Sequence, residues 1–165
     1  MTTYITAPWR EEYVKRVFKM KGCIFCQALE KNDDRNMLIL HKGKHNFVML
    51  NKFPYTPGHL MIAPYKHLDS IELADDASTQ EMMELLKRCV KILRKQYNPQ
   101  GFNTGMNIGQ SAGAGVIDHY HLHIIPRWTG DSNFMPLIGK TKVVLEDLQT
   151  TYDHLLAYFQ LKDKK

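Results

Sequence analysis

Apolar positions along the chain change period several times, and each change marks an element. Between residues 10 and 20 (REEYVKRVFKM), Tyr13, Val14, Val17 and Phe18 share one helical stripe, and Gly22 follows as a stop. Residues 37–40 (MLIL) and 46–51 (NFVMLN) are short apolar runs of strand length. The segment Phe53-Pro54-Tyr55-Thr56-Pro57-Gly58 breaks both ladders and helices. His59–Ala63 then reads as a strand again, which predicts antiparallel pairing across the turn. The longest helical pattern covers 78–97, where Met82, Leu86, Cys89, Leu93 and Tyr97 recur. Ser78 or Thr79 can cap its start, five Lys/Arg load its second half, and Pro99 and Gly101 end it. Residues 102–108 and 119–125 predict two more strands, and 145–160 a last helix on Leu148, Tyr152, Leu155 and Phe159. Strands grouped with two main helices predict an α+β fold: an antiparallel sheet of about five strands with helices on one face.

At 165 residues the chain predicts one domain. Its parts are an N-terminal helical extension (1–22), a core (23–135) and a C-terminal helix and tail (136–165). Hydrophobic residues at 44% and charged residues at 24% exclude a disordered or fibrous chain. No apolar run has transmembrane length, and Met1–Met20 has no signal-like apolar stretch, so no membrane is expected and a cytoplasmic location is. The net charge of +5 arises mostly in the first fifty residues. It lacks the clustered basic and aromatic pattern of a nucleic-acid binder, so none is expected, but it suits a small anionic ligand.

The chemistry concentrates in Asp118-His119-Tyr120-His121-Leu122-His123-Ile124-Ile125-Pro126. Alternate residues of a strand share a face, so His119, His121 and His123 form a row with neighbours ~7 Å apart, while Tyr120, Leu122 and Ile124 face a core. One such imidazole can attack phosphorus while its neighbours stabilise charge, or two can ligate zinc. Just before the row lies Gly109–Gly115 (GQSAGAG), whose Ser111, Gly113 and Gly115 suit a phosphate cradle. Cys23 and Cys26 form a C-x-x-C pair without a βαβ context, which favours metal over redox work. Zinc then needs two more ligands, with His41 and His45 near in sequence. Cys89, Met61, Met82 and Met83 read as core, and His154 as a residue without a role. Arg127 and Trp128 read equally well as contacts to a polyphosphate or distal nucleoside and as a surface Arg beside a packing Trp.

His119-Tyr120-His121-Leu122-His123-Ile124-Ile125 resembles the His-φ-His-φ-His-φ-φ signature of the histidine triad (HIT) family of nucleotidyl hydrolases and transferases. Asn51–Pro64 resembles the family's strand–turn–strand, Cys23–Cys26 its bacterial zinc knuckle, and Pro126–Met135 its diadenosine tetraphosphate phosphorylase branch. The resemblance implies His121 as nucleophile, His123 as the group on a phosphate oxygen, and His59 as the fourth, supporting histidine. It implies Asn51 on a ribose, Asn107 on phosphate or leaving group, and His67 with His119 as the remaining zinc ligands. The Gln or Ser/Thr that many relatives carry before the triad is missing from Gly115-Val116-Ile117-Asp118, so Ser111 or the backbone of Gly113–Gly115 would have to substitute. The expected activity is cleavage of a dinucleoside polyphosphate through a nucleotidyl-histidine, with phosphate or water as acceptor. The alternatives are an adenosine phosphoramidase, a non-catalytic nucleotide-binding module, and a zinc hydrolase with the triad as ligands. The family also implies a homodimer, joined sheet to sheet or through the long helix.

Overall fold

The computed structural model describes residues 22–131 and 146–161. The expected helix over 10–20, the 132–135 end of the branch motif and the tail beyond Leu161 lie outside the described residues. The elements run α1 (Ile24–Glu30), β1 (Ile39–Lys42), β2 (Asn46–Leu50), β3 (Leu60–Pro64), α2 (Asp76–Tyr97), β4 (Gly101–Met106), β5 (Leu122–Arg127) and α3 (Leu148–Gln160). The five strands form one sheet in the order β1-β2-β3-β5-β4, every pair antiparallel. The predicted α+β class and strand count therefore hold.

The two main helices share one face as predicted, and a short helix that the sequence did not predict covers part of the other. α2 and α3 pack on one face, where Val48, Leu50, Leu60, Ile62, Leu122 and Ile124 meet Met82, Cys89, Leu93, Leu155 and Phe159. The opposite face is covered in part by α1, whose Phe25 and Ala28 pack on Ile39, Phe47, Met49, Met61 and Ala63. The reason lies in the strands themselves. β2 and β3 are buried at every position, so they offer apolar side chains to both faces and need cover on both. Register makes the division strict. Met49, Met61 and His123 are cross-strand partners on one face, while Val48, Ile62 and Leu122 are partners on the other.

Helix starts differ from expectation by a few residues. Asp75, not Ser78 or Thr79, caps α2: its carboxylate accepts the Ser78 amide N–H at 2.8 Å. Ser78 turns inward instead and is buried. Leu85 and Ile92 join the buried stripe, and Met83, read as core, is 41% exposed, one residue around the helix from Met82. Gly58 sits at φ +74, and a Cβ there would stand 3.0 Å from Leu93 Cδ2 and 3.1 Å from Tyr97 Cε2. Only glycine meets both demands, so the turn closes against α2 and delivers His59 to the start of β3.

Glu81 ties α2 to the β1–β2 turn. Its carboxylate accepts the backbone N–H groups of Lys44, His45 and Asn46 at 2.6–2.7 Å and the Asn46 side-chain amide at 2.9 Å. Burial alone would raise this carboxyl, but the Asn46 side chain and the three backbone donors hold it below the usual range. Glu81→Ala leaves those donors without an acceptor, so a loss of ~2–4 kcal/mol is expected in urea unfolding. Because the folded value is depressed, the contribution is present above the ordinary carboxyl pKa and fades as pH falls through the folded one. A variant whose deficit does not shrink on acidification would show that this carboxylate is not the source.

Candidate active site

β5 begins at Leu122 rather than at residue 119, so His119 and His121 enter ahead of the ladder. The alternation survives. Tyr120, Leu122 and Ile124 lie in the larger core, and the three histidines turn to the face shared with Met61. His119 and His121 are buried and His123 is half-buried.

The rings stand closer than their backbone spacing. The His121 and His123 centroids are 4.6 Å apart at 73°, and those of His59 and His123 are 5.1 Å apart. His59, fully buried, brings its Nε2 to 2.9 Å from His123 Nδ1. Donor accounting fixes the protons. The Tyr55 backbone N–H donates to His59 Nδ1 at 3.2 Å, so the neutral His59 carries its proton on Nε2 and donates it to His123 Nδ1. His123 then presents Nε2–H. His121 Nδ1 donates to the His119 carbonyl at 3.0 Å, which leaves Nε2 with its lone pair. Burial lowers the His121 pKa below the ordinary imidazole value, so this ring is neutral at pH 7.

His119 turns away from this group. Its Nδ1 lies 3.2 Å from Cys23 Sγ and 3.8 Å from Cys26 Sγ, and its Nε2 meets the Pro64 carbonyl at 2.9 Å. His67 Nδ1 is 3.4 Å from Cys26 Sγ. One ligand atom from each of Cys23, Cys26, His67 and His119 falls within 4.8 Å of the others, a set that could hold a metal ion. His41 and His45 are not in that cluster. Burial pushes the Cys26 thiol up to about 11, with the Cys23 side chain adding to it, and burial pushes His119 down to about 4. The His119 ring is thereby held neutral, and the Cys26 thiol needs a cation to ionise at neutral pH.

Sequence reasoning missed two contributors. Phe25, the aromatic residue inside the C-x-x-C, lies 5.0 Å from the His119 ring and 4.8 Å from the His121 ring. Tyr55 stacks on His59 at 5.0 Å and 18°. Nothing in one sequence marks either, because both contacts join segments far apart or across a turn.

The other candidate residues are distributed around this core. Asn51 Oδ1 accepts the Phe53 N–H at 2.9 Å and its Nδ2 is 3.4 Å from His59 Nδ1, so it braces the turn. Asn107 follows β4 and is half-buried. Ser111 lies in a short 3-10 turn (Gln110–Ala112) and is exposed, as is Gly113 at φ +81, and Gly115 is half-buried. Arg127 pairs with Asp131 through Nε and an NH2 nitrogen at 2.6 and 2.8 Å. Trp128 Nε1 donates to the Tyr97 carbonyl at 3.3 Å.

A model of the HIT domain matches residues 32–130. The chain is 38% identical over 118 residues to a protein of Mycobacterium tuberculosis named AP-4-A phosphorylase, covering 72% of this chain and 60% of that protein. It is 31% identical over 127 residues to an uncharacterized HIT-like protein of Mycoplasma pneumoniae, covering 77% of this chain and 86% of the relative. Among solved structures it resembles a Zn-bound histidine triad family protein from Mycobacterium smegmatis, with TM-score 0.67, 22% identity and coverage of 84% of this chain and 93% of that one. A hypothetical histidine triad nucleotide-binding protein from Sulfolobus tokodaii also matches, at TM-score 0.67 and 26% identity, over 84% of this chain and 92% of that one. The chain belongs to the HIT family. It spans about 60% of the length of the mycobacterial relative. No helix among the described residues is long and apolar enough to cross a membrane.

The buried rings predict a pH dependence of stability in metal-free protein. The folded value of His119, about 4, and the lowered one of His121 lie below the unfolded value of ~6.5. Between those values the unfolded chain binds more protons, so stability is complete above about pH 6.5 and falls as the pH drops toward 4. Urea unfolding with chelator present, repeated from about pH 7 to about pH 5, measures it. A flat profile would mean that these rings are not held neutral by burial.

Proposed function

We propose that the chain cleaves a dinucleoside polyphosphate resembling diadenosine tetraphosphate at an α-phosphate, through a nucleotidyl group carried on His121. The observation that supports this best is the pair of complementary ring nitrogens: a lone pair on His121 Nε2 beside an N–H on His123 Nε2, with the rings 4.6 Å apart. A covalent step needs a nucleophile and a donor for the developing charge side by side. The AP-4-A phosphorylase among its relatives points to the same substrate class.

In the first step the Nε2 lone pair of His121 forms a bond to the α-phosphorus, and the bond to the bridging oxygen breaks. ATP departs when the substrate is diadenosine tetraphosphate. The positive charge gained by the imidazole is shared with the His119 carbonyl through Nδ1–H. His123 steadies the charged phosphate oxygens, with His59 fixing which nitrogen carries its proton. In the second step inorganic phosphate or water attacks phosphorus and restores His121, giving ADP or AMP respectively. Asn51, Asn107, Ser111 and the Gly113–Gly115 backbone are the candidates for ribose and phosphate contacts.

The sulfur and nitrogen donors of Cys23, Cys26, His67 and His119 fit a tetrahedral zinc ion, and the His119 Nε2 contact to Pro64 supplies the outer hydrogen bond such ligands carry. Zinc there would cross-link the start of α1 to the segment entering β5. The residues on the outer edge of β4, Asn103–Gly105, are exposed, which supports a homodimer paired along that edge.

Incubation with diadenosine tetraphosphate should yield ATP plus ADP with phosphate present, and ATP plus AMP if water is the acceptor. His121→Ala should lose on the order of 10³-fold or more in rate, since a covalent nucleophile is removed. An acid-quenched reaction should carry the nucleotidyl group on residue 121. Near-normal turnover by the variant ends the covalent reading. For the metal, cobalt-loaded protein should show thiolate-to-cobalt absorption that Cys23→Ser weakens, and an unchanged spectrum would rule out cysteine ligation.

A further inference from the structure

Past the histidines, the same sheet face opens into a cavity of about 240 Å³ lined by Tyr55, Thr56, Asn103, Ile125, Arg127 and Asp131. Its position follows from register. Ile125 and Arg127 are two and four residues beyond His123, so they share its face at ~7 and ~13 Å along the strand. Asn103 is the cross-strand partner of Ile125, and so it points to that face too. The wall nearest the histidines is Tyr55, whose ring stacks on His59, and His59 in turn touches His123. Thr56 closes the rim, its hydroxyl donating to the Pro126 carbonyl at 2.9 Å. Tyr55 thus joins the cavity to the histidine rings through the buried His59.

The charges say what kind of group fits. Arg127 is a cation in a place where a polyphosphate chain could pass, yet its charge is already answered. Asp131 takes two of its N–H groups, and Asn103 Oδ1 takes a third at 2.6 Å. The Asp131 carboxylate is itself mostly buried. A further phosphate would have to displace a well-formed bidentate pair, which is costly. What remains is a formally neutral recess with an aromatic wall, an amide at the edge and a planar guanidinium–carboxylate floor. Flat, neutral, hydrogen-bonding groups suit such a lining: stacking supplies affinity, and amide and carboxylate groups pair with amino and hydroxyl donors.

We propose that this cavity receives the second nucleoside of the substrate, the one that leaves with the departing nucleotide. The inference rests on the dinucleoside polyphosphate reading above. It makes Asn103 a specificity-determining residue, distinct from the reacting histidines, and it implies a preference for a substrate that reaches ~13 Å beyond His123.

Two substrates isolate the claim: diadenosine tetraphosphate, and adenosine 5′-tetraphosphate, which has the same phosphate chain without the second nucleoside. The full-length protein should prefer the first by at least about tenfold in kcat/KM. Asn103→Ala removes the edge amide, and Asn103→Leu crowds the recess. Asn103 lies on the edge that the proposed homodimer would use and accepts the Arg127 N–H, so the readout is taken on variants whose assembled mass and melting temperature match the wild type. Each should lower kcat/KM for the dinucleotide toward that for the tetraphosphate, chiefly through KM, and leave the tetraphosphate rate in place. Equal wild-type rates on the two substrates, or equal losses on both in the variants, would overturn the cavity assignment while leaving the covalent chemistry standing. Failure of the wild type to cleave either would remove the parent reading, and this one with it.

Discussion

A histidine offers one ring nitrogen to chemistry only when the other is committed. That constraint organises this molecule. His121 commits Nδ1 to the His119 carbonyl, and His59 commits Nδ1 to the Tyr55 amide, which leaves its Nε2 for His123. Each commitment is to the backbone or to another ring, so no mobile charged side chain sets the tautomers. Burial reinforces the arrangement by disfavouring the cationic form of His121. A solvent-exposed row with the same spacing would exchange protons and tautomers freely, and would specify nothing.

Backbone acceptors stay in place only if the elements carrying them are fixed, and here the sheet does the fixing from both sides. Tyr120, Leu122 and Ile124 sit in the large core with α2 and α3, anchoring one side of every residue that flanks a histidine. On the other side Phe25 rests against His119 and His121 together. Phe25 is held by the first turn of α1, between the two cysteines. His119 therefore links two systems: its side chain belongs to the cysteine cluster and its carbonyl to His121. A rearrangement at the cluster moves the acceptor of the His121 proton, because one residue supplies both.

Much of this was legible in the sequence. The period-two alternation from His119 to Ile125 gave the face of each side chain correctly even though the ladder starts only at Leu122. The C-x-x-C pair with His67 and His119 came together as the resemblance implied. The prolines and glycine before His59 marked a turn that the structure closes by packing Gly58 on Leu93 and Tyr97. The uniformly apolar β2 and β3 carried a message not taken from them, that the sheet is covered on both faces. α1 has only seven residues and no side-chain cap, so local signals for it were weak. Glu81, Phe25 and Tyr55 act through partners set by tertiary packing, and pairings of that kind leave no mark on a single chain's spacing.

The sheet also grades polarity along one strand. From His121, just ahead of β5, to Arg127 at its end, the same face passes from buried neutral imidazole, through His123 and Ile125, to a guanidinium held by Asp131. Were Arg127 unpaired, its charge would act on the histidines from one face of one strand and favour their neutral forms, while drawing phosphate away from them. Pairing it with Asp131 cancels both effects at once. The environment of His121 is then set by burial and the His119 carbonyl, and the far end of the face carries paired charges and an amide.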